Sequence, residues 1–297
     1  MTTGSDSRVG ISQSNGTHLF SIDVEEHFQV SAFDDVVPRA TWDQHPSRVE
    51  ASTDRLLDLL ARHHASATCF VLGWVAERHP ALVKRIAAAG HEIASHGWWH
   101  WRLTGLDSER FRAEVRDSKR VLEDICGAPV RGFRAPSFSI VPGGEWAFDV
   151  LLEEGYTYDS SIFPIRRPGY GYPGAPRSPY RIKRPGGHLL EFPLATLDVL
   201  GVRLPAAGGG YLRQLPLALI QRSARGFESE APGMFYIHPW EIDPEQPRLP
   251  VGALTRIRHY RGLKKTLGRL ETLFNEFRFT SVERWLASGL GKSLAEG

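Results

Sequence analysis

The chain has 297 residues, 41% hydrophobic and 24% charged. These are ordinary globular proportions, with enough length for a full α/β barrel or one domain with an appendage. A net charge of +2 gives no basis for a nucleic-acid or anionic-membrane partner, and two cysteines, Cys69 and Cys126, are too few for a disulfide framework.

Residues 1–17 are rich in Ser, Gly and Thr and are expected to form a loose tail. They lack the charged start and apolar stretch of a signal peptide. No apolar run approaches the ~20 residues of a transmembrane segment, so the expected location is cytoplasmic. Leu19–Ile22 reads as the first strand, followed by a helix over Arg48–His63 carrying Leu56, Leu57, Leu59 and Leu60. Ala67–Leu72 is β-type, Val75–Ala89 helical to its stop at Gly90, and His91–Ser95 a short strand. Over 107–126, Phe111, Val115, Ser118, Leu122 and Ile125 recur on one helical face, with Asp107 placed to cap the start and Gly127 the end. Val130–Phe133, Thr157–Tyr158, Leu189–Phe192 and Met234–Ile237 continue the strands, with helices near 145–154 and 214–225.

Strand-helix alternation of this kind predicts a parallel sheet, and its length suits a closed or partly closed α/β barrel over 18–245. After Pro250 a basic helix carries Leu263, Leu267, Leu270, Phe274 and Phe277 on one stripe. Residues 246–297 therefore read as a C-terminal extension packed on the barrel.

Ionisable residues gather after the predicted strands, the edge where parallel α/β folds place their sites. Asp23, Glu25, Glu26 and His27 follow the first strand, and His96 and His100 follow Ile93–Ser95. Arg134, Asp159 and His238 follow three later strands. His96-Gly-Trp-Trp-His100 has the four-residue offset that brings two imidazoles to one cation. Twelve histidines in the chain would give about half of one such pair by chance, so the pair needs its context. Two imidazoles and one carboxylate suit Zn²⁺ and leave an open position for water. Extended backbone puts Asp23 and Glu25 on one side, where two unpaired carboxylates would repel unless a cation lay between them.

The series Ser21-Ile-Asp23-Val-Glu25, His96-x3-His100, Arg134-Ala-Pro136, Tyr158-Asp159-Ser-Ser161 and Ile237-His238 resembles the five motifs of the polysaccharide deacetylases, carbohydrate esterase family four with the NodB-homology domain. Phe235–Pro247 and Phe277–Ser281 resemble the subgroup encoded with exosortase and exopolysaccharide clusters. The resemblance spans roughly 18–285. It implies a distorted (β/α)7-type barrel and metal-dependent hydrolysis, most often with Zn²⁺, of N-acetyl groups on amino sugars. The implied partner is an N-acetylated polysaccharide or a lipid-linked oligosaccharide.

Carried over by motif, Asp23 matches the general base, Arg134 its orienting arginine, and His96 and His100 the metal-binding histidines. His238 matches the general acid, and Asp159 the carboxylate that holds it. Two positions depart from the pattern. Val24 stands where the family places its second aspartate, which leaves Glu25 as the ligand candidate and Glu26 in reserve. Gly97 replaces a Ser or Thr whose hydroxyl would brace the loop. Trp99, Pro136, Phe138 and Trp240 are candidate sugar contacts, and Tyr170–Pro173 and Ala206–Tyr211 candidate rim loops. Two readings compete with deacetylation: hydrolysis of a small cyclic amide, and carbohydrate binding without turnover. The sequence leaves oligomeric state open.

Overall fold

The structure, a computed structural model, describes residues 17–167, 169–227, 231–289 and 294; the expected tail, apart from Thr17, lies outside them. In chain order the elements are β1 (Thr17–Val24), α1 (Val49–Arg62), β2 (Thr68–Val71), α2 (Gly73–Arg78), α3 (Pro80–Ala88), β3 (Glu92–Ser95) and α4 (Ser108–Cys126). Next come β4 (Gly132–Phe133), α5 (Trp146–Glu153), β5 (Tyr158–Asp159), β6 (Tyr180–Arg184), β7 (Gly187–Glu191), β8 (Thr196–Val199) and β9 (Val202–Pro205). The chain continues with α6 (Gly209–Gln214), α7 (Leu217–Phe227), β10 (Met234–Ile237), α8 (Ala253–Tyr260), α9 (Leu263–Glu276), β11 (Arg278–Thr280) and α10 (Val282–Ala287).

The main sheet runs β10-β1-β2-β3-β4-β5-β7-β6, with every neighbouring pair parallel except β6 with β7. Isolated bridges Leu194–Met234 and Gly208–Tyr236 carry the chain beyond β7 across to β10. The fold is therefore a mixed α/β, barrel-like arrangement with helices around a parallel sheet. β2 and β3 are wholly buried and β1 is buried from His18 onward, as strands covered on both faces must be. The ends of β1, β3, β4, β5 and β10 bring Asp23, Glu25, His96, Arg134, Asp159 and His238 to one edge of the sheet.

α4 has the expected caps: the Asp107 side chain accepts from the backbone of Arg110, and Gly127 is left-handed at φ 67°. One predicted helix is broken and another starts late. Val75–Ala89 divides into α2 and α3 at Pro80, and the helix expected near 214–225 is α7, which begins only after Pro216. Proline lacks the amide hydrogen and its ring clashes with the preceding turn.

The C-terminal region does more than lie against the sheet. β11 pairs in parallel with the first half of β1, from Thr17↔Arg278 to Leu19↔Thr280. Phe277, placed on the helical stripe by its spacing, is instead the extended residue that ends α9. Phe20, Phe274 and Phe279 pack edge to face at 4.9–5.7 Å between centroids.

Candidate active site

β1 delivers two carboxylates in different environments. Asp23 is buried, and its Oδ1 accepts from Nη1 of Arg134 at 2.6 Å. Arg134 is fully buried and also donates to Ser21 Oγ, Ser160 O and Ser160 Oγ at 2.7–3.0 Å. The guanidinium lies 4.1 Å from the centre of the Phe70 ring. Removing either member of such a buried pair costs about 3–5 kcal/mol, because the other charge is left without compensation.

Glu25, one step past β1, meets the histidine pair. Its Oε2 makes no well-aligned hydrogen bond and lies 2.9 Å from Nε2 of His100 and 4.0 Å from Nε2 of His96. One donor atom from each of the three residues falls within 4.8 Å of the others. Nδ1 of His96 is 2.8 Å from the carbonyl of Arg134, so the proton sits there and the Nε2 lone pair faces Glu25. Burial lowers the His96 pKa to about 4, keeping the ring neutral as a ligand must be. Burial alone would raise the Glu25 carboxyl, but His100, His238 and His96 outweigh it and hold the pKa well below the carboxylate range. An orphaned buried carboxylate oxygen facing two imidazoles fits a divalent cation.

Glu26 is turned elsewhere. It accepts from Ser47 Oγ, from the backbone of Arg48 at 2.9 and 3.1 Å, and from that of Val49 at 3.3 Å. It thus satisfies the unpaired N–H groups that open α1.

The loop carrying the histidines is braced without the missing hydroxyl. Gly97 has φ +74°, a conformation that strains Ser or Thr. Oε2 of Glu114 accepts from the backbone of Trp98 and Trp99 at 2.9 Å each. Arg39 donates to the carbonyls of Trp99 at 2.7 Å and His100 at 3.0 Å. His100, Ser137 and Phe138 all have φ between 53° and 56°, a cost of ~1–3 kcal/mol each that clusters at functional sites.

His238 follows β10. Its Nε2 lies 3.8 Å from Asp23 Oδ2 and 3.7 Å from Glu25 Oε1, while Nδ1 is 2.6 Å from Glu241 Oε1. Burial pulls its pKa down, but Glu25, Glu241 and Asp23 outweigh that effect and raise it to about 9. These carboxylates favour the protonated ring, the form that can give up a proton.

Two expectations are corrected here. Asp159 does not hold His238. Its carboxylate accepts from the backbone and hydroxyl of Ser161 at 2.9 and 2.7 Å and is paired with Glu191. The carboxylate on His238 is Glu241, presented by the turn Pro239–Ile242. Trp240 is not an open platform for a sugar. One face stacks on His238 at 4.9 Å, the other on His259 at 4.2 Å, and Nε1 donates to Glu25 Oε1 at 3.0 Å.

The remaining candidate contacts differ among themselves. Pro136 and Phe138 are buried, with Phe138 against Phe163 and Tyr236. Trp99 is half-buried beside Trp42. Tyr170 and Tyr211 share a hydroxyl contact of 2.6 Å and line a groove of about 740 Å³ that reaches Trp240. Gly208 lies where an added Cβ would come 1.8 Å from the Tyr236 carbonyl, so the glycine run serves a close backbone approach.

Sequence reasoning missed Glu241, Arg213, Glu114 and Arg39. Glu241 had a signal, since His-x-x-Glu opening a turn is a reciprocal capping pattern. The other three act from distant elements and leave no local trace.

Comparison with known proteins divides the chain. The polysaccharide deacetylase family model matches residues 32–142, and a domain of unknown function (DUF3473) matches residues 160–287. A chitooligosaccharide deacetylase from Rhizobium leguminosarum bv. trifolii is 37% identical over 102 residues, 34% of this chain and 46% of that protein. A peptidoglycan-N-acetylglucosamine deacetylase from Bacillus cereus is 29% identical over 175 residues, 54% of this chain and 61% of that one. These matches span about half the length of either relative. Among solved structures, a Mycobacterium smegmatis protein described as a candidate polysaccharide deacetylase has a TM-score of 0.62 at 20% identity, covering 94% of this chain and 92% of that one. An allantoinase has a TM-score of 0.56 at 20% identity, covering 90% and 88%. Both structural likenesses concern the fold.

Proposed function

We propose that this chain, which the family model and relatives support as a member of the polysaccharide deacetylase family, is a metal-dependent hydrolase that removes N-acetyl groups from amino sugars of a polysaccharide. The observation that carries the reading is one convergence. An arginine-held carboxylate and a histidine lie 3.8 Å apart, and the histidine is 3.7 Å from the carboxylate of the Glu25–His96–His100 cluster.

A divalent cation on Glu25, His96 and His100, for which the two imidazoles favour Zn²⁺, supplies acidified water and a polarised acetyl carbonyl when bound. Asp23 takes the proton of the attacking water as its oxygen bonds to the carbonyl carbon. Arg134 keeps Asp23 ionised and aimed. His238 gives the Nε2 proton to the sugar nitrogen as the C–N bond breaks, so the products are acetate and a free amine. An exopolysaccharide as substrate, and a cytoplasmic site of action, belong to the same reading; the subgroup resemblance of Phe235–Pro247 supports the former.

Acetate release from N-acetylated chito-oligosaccharides and from an acetylated exopolysaccharide, set beside ring opening of a cyclic ureide, tests it. Chelator-sensitive acetate from a saccharide is expected. Turnover of the ureide alone would move the chain to cyclic-amide hydrolysis, and metal-independent sugar binding without turnover would leave a binding protein.

A further inference from the structure

The acid side of the site is held by Glu241 and Arg213, which lie outside the five motifs. Glu241 is fully buried and divides its oxygens: Oε1 faces Nδ1 of His238 at 2.6 Å, and Oε2 accepts from Nε of Arg213 at 2.5 Å. Arg213 is itself buried. The rest of its guanidinium donates to the carbonyls of His259 at 2.6 Å, Arg261 at 2.9 Å and Arg258 at 3.1 Å. Those carbonyls close α8. The last carbonyls of a helix have no partner within it and form the negative end of its dipole, so a buried cation there is doubly favoured. Gly262, just beyond, has φ +88°, and an added Cβ would lie 2.8 Å from the Arg213 carbonyl. From the same turn of α8, His259 stacks on Trp240, which donates to Glu25.

We propose that Glu241 and Arg213 are positioning residues for the proton donor His238, with the C-terminal end of α8 as their anchor; this rests on the deacetylase reading. Glu241 fixes a proton on Nδ1, so the proton delivered to the leaving nitrogen can come only from Nε2, the atom that faces Asp23 and Glu25. Arg213 fixes Glu241 and neutralises it. The segment matched by the domain of unknown function thereby has a role. It supplies the acid and its support, whereas the segment matched by the deacetylase model supplies His96, His100 and Arg134.

The test compares an N-acetyl sugar with an activated aryl acetate, whose leaving group needs no proton. Glu241→Gln should lower kcat on the amide by ~100-fold or more, the scale of general-acid catalysis. KM and metal content should stay unchanged, and aryl acetate turnover should fall by less than about threefold. Arg213→Gln should lower amide kcat by ~10-fold, and the double variant should be no worse than Glu241→Gln alone, because both act through one contact. Glu241→Asp, which keeps the charge, should recover part of the loss. Equal losses on amide and ester, or additive losses in the double variant, would overturn the proposal. If Glu241→Gln does not fold, Arg213→Lys provides the same amide-to-ester comparison. Proton NMR reads the contact without turnover: the wild type should show a downfield His238 Nδ1–H resonance that moves upfield in Glu241→Gln or Arg213→Lys. An unshifted resonance would sink the positioning role, whereas absent turnover of both substrates by the wild type would sink the deacetylase reading.

Discussion

At the scale of single residues, neighbouring carboxylates are given different work by their partners. Asp23 faces Arg134, Glu25 faces two imidazoles, and Glu26 closes the start of α1. Alternation in an extended segment accounts for Asp23 and Glu25 pointing the same way, but their division of labour depends on partners from β3, β4 and the loop after β10. His96→Ala is therefore expected to abolish zinc binding measured by titration calorimetry. Asp23→Asn should retain the metal and lose ~10³-fold in kcat; loss of metal in Asp23→Asn would reverse the assignment of base and ligand.

Asp159 and Glu191 make a separate prediction. Burial, then the neighbouring Asp159 charge, pushes the Glu191 pKa well above its ordinary value, so the folded protein holds a proton there that the unfolded chain has lost. Above the ordinary Glu value of about 4.3 the folded state binds more protons, and stability falls as pH rises toward the raised folded value. Glu191→Gln should flatten that fall in urea midpoints measured between pH 5 and 8; an unchanged slope would mean the pair does not share a proton.

At the scale of elements, the sequence made the parallel strands and α4 legible because periodicity and caps are local. Met234–Ile237 matches β10 residue for residue, and Asp107 and Gly127 bound α4 as read. It did not make β6, β8, β9 or β11 legible. β11 has three residues, and what orders it is pairing with β1 across more than 250 positions of chain. The histidine pair could be read from spacing and Glu25 from the family pattern, while the partner of His238 was misassigned because that pattern was followed past the nearer Glu241. Glu26 tests the element scale. Glu26→Ala should cost about 1–2 kcal/mol by thermal denaturation, as the loss of a helix cap does, with zinc affinity unchanged. A drop in zinc affinity comparable with that of His96→Ala would make Glu26 a ligand.

For the whole molecule, the C-terminal region behaves as part of the main sheet and its packing. It adds a strand to β1, packs Phe274 and Phe279 on Phe20, and ties α8 to Arg213 and Trp240. Among the described residues no helix is long and apolar enough to cross a membrane. Phe279→Ala should lower stability by about 3–5 kcal/mol, the cost of emptying a large aromatic site, measured as a shift in urea midpoint. A change within 1 kcal/mol would mean that β11 docks weakly.

The most direct measurement is acetate and free amine released from an N-acetylated chito-oligosaccharide by the intact chain, before chelation, after it, and after zinc is returned. Equimolar products are expected, lost on chelation and recovered with zinc. Acetate release that is indifferent to the chelator, or none at all from zinc-loaded protein on any N-acetylated saccharide, would contradict metal-dependent deacetylation.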